Sequence, residues 1–285
     1  VALGFAGMTI GASLNKDSLQ LLSILPETLL YMFIFLTILL SILVFLFKKI
    51  WKTNTLVALS CSWPGNILLV FATLEKENYD LKLVAIVQSV RVVTLMAMLP
   101  AIISAYNSPN IENPFILSFD LFIAIFLTAV GILMALKLKF LGGELIFTAL
   151  MIGILTSNGY IQFIIPGKIN NFFQMIVGTY IAIELLRCDR KYFLTALRPS
   201  FLSALFAGLF TLITAFLLSK FIGCSFSALA LSFAPGGAEA MIILAVIFNV
   251  DPSFVGIHHT IRLLVLTLIF PILVSYLLKK RLPGD

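Results

Sequence analysis

Ser232–Met241 reads SFAPGGAEAM. These residues sit inside an otherwise apolar segment, Phe226 to Phe248, which is long enough to cross a bilayer but carries a proline, two glycines and a glutamate at its middle. Proline removes a helix donor and clashes with the preceding turn, and glycine tolerates the dihedral angles of a reversal. Backbone freed in this way cannot face lipid; it must be buried in protein or line a wet cavity. The segment therefore reads as a helix interrupted within the membrane.

The rest of the chain supports a membrane setting. Of its 285 residues, 61% are hydrophobic and 11% charged, with a mean hydropathy of +1.11. A soluble domain of this size needs far more polar surface. Apolar runs of about 20 residues recur along the whole length, the span of a hydrocarbon core. They run Val1–Leu14, Pro26–Phe47, Asn54–Leu74, Leu81–Ala105, Pro114–Leu136, Glu144–Ile165, Asn171–Leu186, Pro199–Phe221, Phe226–Phe248 and Pro252–Leu278. A β-barrel is excluded, since its strands alternate over about 10 residues. The net charge of +6 marks loops at the membrane surface rather than a nucleic-acid interface. Cys61, Cys188 and Cys224 are odd in number and scattered, with neither metal spacing nor a disulfide framework. The opening VALGFAGMTIGASL lacks a basic leader and reads as the second part of a spanning helix; Gly7–Gly11 within it suits close helix packing. NKDSLQLLSI and RCDRKYFLTAL read as interfacial turns of helix.

An internal repeat organises these runs. The stretch beginning PGNILLVF at Pro64 aligns without a gap on the stretch beginning PGGAEAMI at Pro235, at an offset of 171 residues. Pro64 and Gly65 meet Pro235 and Gly236; Asn78 and Asp80 meet Asn249 and Asp251; Arg91 meets Arg262; Pro100 meets Pro271. Matching leucines would mean little in so apolar a chain, but matching rare residues at one offset indicates duplication. Residues 1–110 form the first repeat and residues 111–285 the second, with about two segments of the first expected before Val1.

If every run crosses the membrane, Lys and Arg divide evenly between the two sides. If Asn54–Leu74 and Phe226–Phe248 instead enter and leave on one side, 14 fall on one side and 3 on the other, with Arg91 and Arg262 inside the membrane. The excess of positive charge on cytoplasmic loops favours the second arrangement and puts the C-terminus in the cytoplasm. The expected fold is an all-α polytopic membrane protein of two inverted repeats, each with a discontinuous, Pro-Gly-broken helix or re-entrant hairpin.

The candidate binding residues lie at the interruptions and on the helices after them: Pro64, Gly65, Asn66, Gln88 and Arg91 in the first repeat, and Pro235, Gly236, Gly237, Glu239, His259 and Arg262 in the second. A half-helix that begins at Pro-Gly offers free N–H groups and a positive dipole end to an anion. The bland alternative for one such dipeptide is a kink. Arg91 and Arg262 each follow their paired aspartate by 11 residues, about 16 Å along a helix and so near the bilayer centre. An arginine there is either a structural partner or functional; Glu239 is the expected partner of Arg262. His258 shares a face with Arg262 and suits a packed role, whereas His259 matches the polar Gln88 and suits a functional one. The adjacent histidines point about 100° apart, which disfavours one shared metal. Asp120 and Glu184 are further acids within apolar runs.

At these residues the chain resembles the AbrB family of bacterial membrane proteins. Its second copy of the family's duplicated pattern is Pro235, Gly236, Gly237, Glu239, Asp251, Val255, His259, Arg262 and Pro271; the first keeps Pro64, Gly65, Asp80, Val84, Gln88, Arg91 and Pro100 but departs at Asn66 and Leu68. The resemblance implies a multi-pass protein of the bacterial plasma (inner) membrane. Family names refer to gene regulation or to ammonia monooxygenase, while the soluble DNA-binding regulators that share the name have a different kind of sequence.

The leading functional expectation is a secondary transporter of a small anionic or zwitterionic metabolite, driven by H⁺ or Na⁺. A membrane-bound regulatory or partner subunit stands second, and a membrane enzyme such as a monooxygenase third. No enzymatic activity, metal or other cofactor is expected. The expected partners are the lipid bilayer and a small-molecule or ion substrate; a homodimer is compatible, and nucleic acid is not expected.

Overall fold

The computed structural model describes residues 2–13, 24–65, 82–107, 118–138, 143–163 and 190–279, with isolated positions between 70 and 74 and between 165 and 179. Ten helices are described: α1 (Ala2–Ser13), α2 (Leu25–Lys49), α3 (Thr55–Ser62), α4 (Lys82–Ile103), α5 (Phe119–Leu138), α6 (Gly143–Ser157), α7 (Arg190–Ser219), α8 (Phe226–Phe233), α9 (Ala238–Ile247) and α10 (Pro252–Lys279). No strand occurs among the described residues. Helices α2, α4, α5, α7 and α10 are long and apolar enough to cross a membrane. Asn171–Leu186 and the stretch NKDSLQLLSI lie almost entirely outside the described residues.

Local chemistry sets most helix ends. Pro26 sits in the first turn of α2 with Glu27, and Lys48 and Lys49 close its last turn, so both ends complement the helix dipole. Asn54 caps α3 by accepting from Val57 N at 2.8 Å, and Ser225 caps α8 by accepting from Ala228 N at 3.2 Å. Asp251 caps α10, its Oδ1 accepting from Ser253 N at 2.7 Å. One boundary departs from the sequence expectation. Pro199 lies inside α7 rather than at its start, and the expected interfacial segment is continuous with that helix. The proline removes the donor that would serve Thr195 O, and the helix continues through it; Thr195 and Ser200 donate their own hydroxyls to Tyr192 O and Ala196 O.

The two interrupted runs form short helices. At 1.5 Å per residue, α3 and α8 are each about 12 Å long, well short of the ~30 Å hydrocarbon core. The start of α3 lies at the end of the bundle where α2 finishes and α4 begins. There Phe47, Leu56, Trp63 and Val84 pack with the last half of α10, through Phe270 and Val274. The start of α8 lies at the other end, where α4 finishes: Ser227 Oγ donates to Asn107 Oδ1 at 2.5 Å, and the Tyr106 and Phe226 rings stand 4.6 Å apart.

Helix α4 runs in the same direction as α7, since Ile86 and Val90 meet Ala196 near their starts, while Leu95 and Met98 meet Gly208 further on. Helices α2 and α10 run together in the opposite sense, linked at their starts by Thr28 and His258 and near their ends by Phe47 and Phe270. A third apolar cluster joins α1 to α5 and α6. A Cβ on Gly11 would stand 2.7 Å from Ile152 Cβ and 3.0 Å from the backbone of Gly153, which is the close packing expected of the GMTIG stretch.

Candidate functional site

The site is built from the inner ends of α3 and α8. A helix end leaves its last carbonyls without intrahelical partners. At the end of α3, Arg91 on α4 supplies the donors: Nη1 lies 3.4 Å from Cys61 O and 3.3 Å from Ser62 O, and Nη2 donates to Trp63 O at 2.9 Å. One turn earlier on the same face of α4, Gln88 Nε2 donates to Ser60 O at 2.9 Å. At the end of α8, Arg262 on α10 donates to Ala234 O at 2.7 Å and to Gly236 O at 3.1 Å, and His259 Nε2 donates to Leu231 O at 2.9 Å. Ser60, Trp63, Gln88 and Arg91 correspond through the 171-residue offset to Leu231, Ala234, His259 and Arg262.

This arrangement explains why the repeat carries an arginine at this position. Its planar fork serves several carbonyls at once, and a cation suits the negative end of a helix dipole. Both arginines are only 4% exposed, so carbonyl dipoles stabilise charges that would otherwise be buried alone. The described partners of Arg262 are two carbonyls and His259, and the expected pairing with Glu239 falls on a side chain outside the described residues. Glu239 lies in the first turn of α9, and its side chain is outside the described residues, as are Asn66, Asp80 and Glu184. Pro64 and Pro235 are buried where the short helices stop, and Gly65, Gly236 and Gly237 are half-buried beside them. Asp120 holds a different junction, accepting from Gln162 N at 2.9 Å.

Hydrogen bonding assigns the tautomer of His259. A carbonyl only accepts and a guanidinium only donates. Nε2 therefore carries hydrogen toward Leu231 O, and the bare Nδ1 accepts from Arg262 Nη2 at 2.8 Å. The ring is neutral, and protonating it would set two cations against each other. It presents the same donor that Gln88 presents in the first repeat. His258 is held differently, with Nδ1 donating to Phe254 O at 2.8 Å and Nε2 lying 2.9 Å from the Thr28 hydroxyl.

The two tips contact α10 and α4 in a reciprocal way. A Cβ on Gly65 would meet Leu266 Cβ at 3.4 Å, and one on Gly236 would meet Leu95 Cδ1 at 3.7 Å. Leu95 and Leu266 are themselves equivalent through the repeat offset. Trp63 stacks obliquely on Phe270, centroids 4.9 Å apart. Ser60 Oγ, Trp63 Nε1, Arg91 Nε and Ser232 Oγ are buried around these helix ends without a hydrogen-bond partner among the described residues. Gly237 begins α9, and among the described residues no side chain caps its first N–H groups. Sequence reasoning missed Trp63, Leu95, Leu266 and the Thr28–His258 link; only Trp63 carried a signal, as an indole immediately before Pro-Gly.

A family model described as "Transition state regulatory protein AbrB" matches residues 1–278. The chain belongs to the AbrB family. The residues that carry the AbrB resemblance are thus the ones that build this site: Pro64, Gly65, Gln88 and Arg91 at one tip, and Pro235, Gly236, His259 and Arg262 at the other. Asp251 of the same AbrB pattern serves as the cap of α10. Comparison with curated proteins and with solved structures returns no match for this AbrB-family chain.

Proposed function

We propose that this AbrB-family protein is a secondary-active transporter that moves a small anionic or zwitterionic metabolite by alternating access between two inverted repeats, residues 1–110 and 111–285. Support comes from helix direction. The repeat offset equates α2 with α7, α3 with α8 and α4 with α10. The members of each pair run or enter from opposite ends of the bundle, as inverted repeats require. Exposed Lys48, Lys49, Lys52, Arg190, Lys191 and Arg198 gather at the end where α2 finishes and α4 and α7 begin. In this reading that end is the cytoplasmic face of the bacterial inner membrane.

The observation that carries the proposal is the reciprocal pair of tips. Each short helix is tied by polar contacts to a helix of its own repeat, Arg91 to Trp63 O and Arg262 to Ala234 O. Each tip touches the other repeat through apolar groups, Gly65 on Leu266 and Gly236 on Leu95. One repeat can then rock past the other at the tips without breaking the arginine caps. The substrate carboxylate would sit at the uncapped start of α9 beside Arg262, where free N–H groups and the helix dipole favour an anion.

The test is uptake of labelled small carboxylates, amino acids and phosphorylated metabolites into proteoliposomes, under an imposed proton or sodium gradient. The expected result is gradient-dependent uptake of one class, lost on Arg262→Gln in protein that remains folded. Uptake indistinguishable from empty liposomes for every class and both gradients would overturn the reading.

A further inference from the structure

A cleft of about 750 Å³ lies away from the two tips, between the C-terminal end of α2, the start of α4 and the first half of α7. Its size falls within the range of small-molecule sites. Leu46 and Phe206 form apolar wall, while Trp51, Tyr192 and Arg198 stand among the lining residues nearer the helix ends. Arg198, Leu202 and Phe206 follow one another at intervals of four, which puts the cation and the two apolar side chains on one face of α7. Around the cleft stand the exposed cations Lys48, Lys49, Lys52, Arg190 and Lys191. Among the described residues neither Asp nor Glu lines it, and the first turns of α4 and α7 carry no acid. An indole and a phenol beside a basic group, above apolar wall, are the pattern of a membrane–water boundary.

We infer that this cleft binds an anionic phospholipid, with the headgroup phosphate on Arg198 and the upper acyl chains along Leu46, Leu202 and Phe206. Among the described residues the charge around the cleft has one sign, which favours an anionic headgroup over a zwitterionic one. The apolar wall selects an amphiphile over a free anion, because a soluble phosphate would leave that wall wet. Arg198 is exposed and lines the cleft, where a planar fork suits a ligand with oxygen acceptors. This inference is independent of what the protein transports.

The test is lipid binding to the purified full chain in detergent, followed by native mass spectrometry and by thermal melting. The probes are dioleoyl phosphatidylglycerol, dioleoyl phosphatidylcholine and soluble glycerol phosphate. Phosphatidylglycerol is expected to bind tighter and to raise the melting temperature more than phosphatidylcholine. Arg198→Gln should weaken phosphatidylglycerol about fivefold, the effect of losing one basic contact at the surface, and Arg198→Lys should restore most of it. Leu202→Trp, which fills the cleft, should reduce binding of both lipids. Lys220→Gln, at the opposite end of α7, should change nothing. Equal binding of the two lipids, unchanged affinity in Arg198→Gln, or glycerol phosphate competing as well as the whole lipid would each overturn the inference.

Discussion

The Nε2 atom of His258 lies 2.9 Å from the hydroxyl of Thr28, joining α10 to α2 across 230 positions of the chain. The same hydroxyl stands 3.0 Å from Ile24 O and 3.2 Å from Leu25 O, yet it has one hydrogen to give. When it donates to Nε2 the imidazole is neutral. When it donates to a carbonyl, Nε2 must carry a hydrogen and the ring becomes a cation. His258 thus has two self-consistent hydrogen-bonded states, whereas His259 has one.

Thr28→Val is expected to lower stability by about 1–3 kcal/mol, because it leaves a buried imidazole nitrogen without a partner. Thr28→Ser should restore most of the loss. Thermal melts of both variants in one detergent check this, and identical melting of the Thr28→Val variant and the wild-type protein would refute the link.

The tautomer of His259 predicts an exchange between repeats. His259→Gln should be tolerated within about 1 kcal/mol, since an amide can both donate to Leu231 O and accept from Arg262. His259→Leu removes both partners and should cost about 1–3 kcal/mol. The reverse change, Gln88→His, should likewise preserve the fold. Denaturation of the three variants side by side distinguishes hydrogen-bond replacement from a specific need for imidazole.

Neither arginine cap should accept a substitute easily. Arg262→Met would strip the donors from Ala234 O and Gly236 O and is expected to cost about 2–4 kcal/mol. Arg262→Lys should recover part of this, because a point ammonium lacks the fork that reaches both carbonyls. Proteolysis of the tip region should quicken moderately in Arg262→Lys and most in Arg262→Met.

The two tip glycines should differ. Alanine at Gly65 would put its methyl 2.6 Å from Trp63 Nε1 and 2.9 Å from Cδ1, against a buried and rigid ring. Alanine at Gly236 would meet Met241 Cε at 3.0 Å, the end of a flexible chain that can move aside. Gly65→Ala is therefore expected to destabilise by about 1–3 kcal/mol and Gly236→Ala by less than about 1 kcal/mol. Reversed ranking in a melting experiment would contradict the packing described at the first tip.

Cys224 lies outside the spanning helices, in the turn between α7 and α8. Burial pushes its thiol above the ordinary range, and the Glu27 carboxylate pushes it further the same way. Thiolate is the reactive form, so maleimide should label Cys224 more slowly than a free thiol at neutral pH and catch up only in alkali. Glu27→Gln removes the second push and should shift the labelling profile toward lower pH.

The membrane class, the family and the places where α3 and α8 stop were legible from residue order. Hydropathy sums along the chain, and Pro-Gly is local chemistry; the matching caps Asn54 and Ser225 became visible only with the helix starts. Pro199 misled, because a membrane helix can run on through a proline and no local signal says when it will.

What tertiary packing alone decided is what each polar side chain meets. The sequence set an arginine within reach of an interrupted helix, but which carbonyls it meets depended on how α4 lies against α3 and α10 against α8. Both arginines reach carbonyls because a helix stopped inside the bundle leaves acceptors there that water cannot satisfy. Thr28 with His258, and Gly65 with Leu266, are likewise pairs that spacing cannot reveal, since contacts between distant segments are chosen by the shape of the whole core.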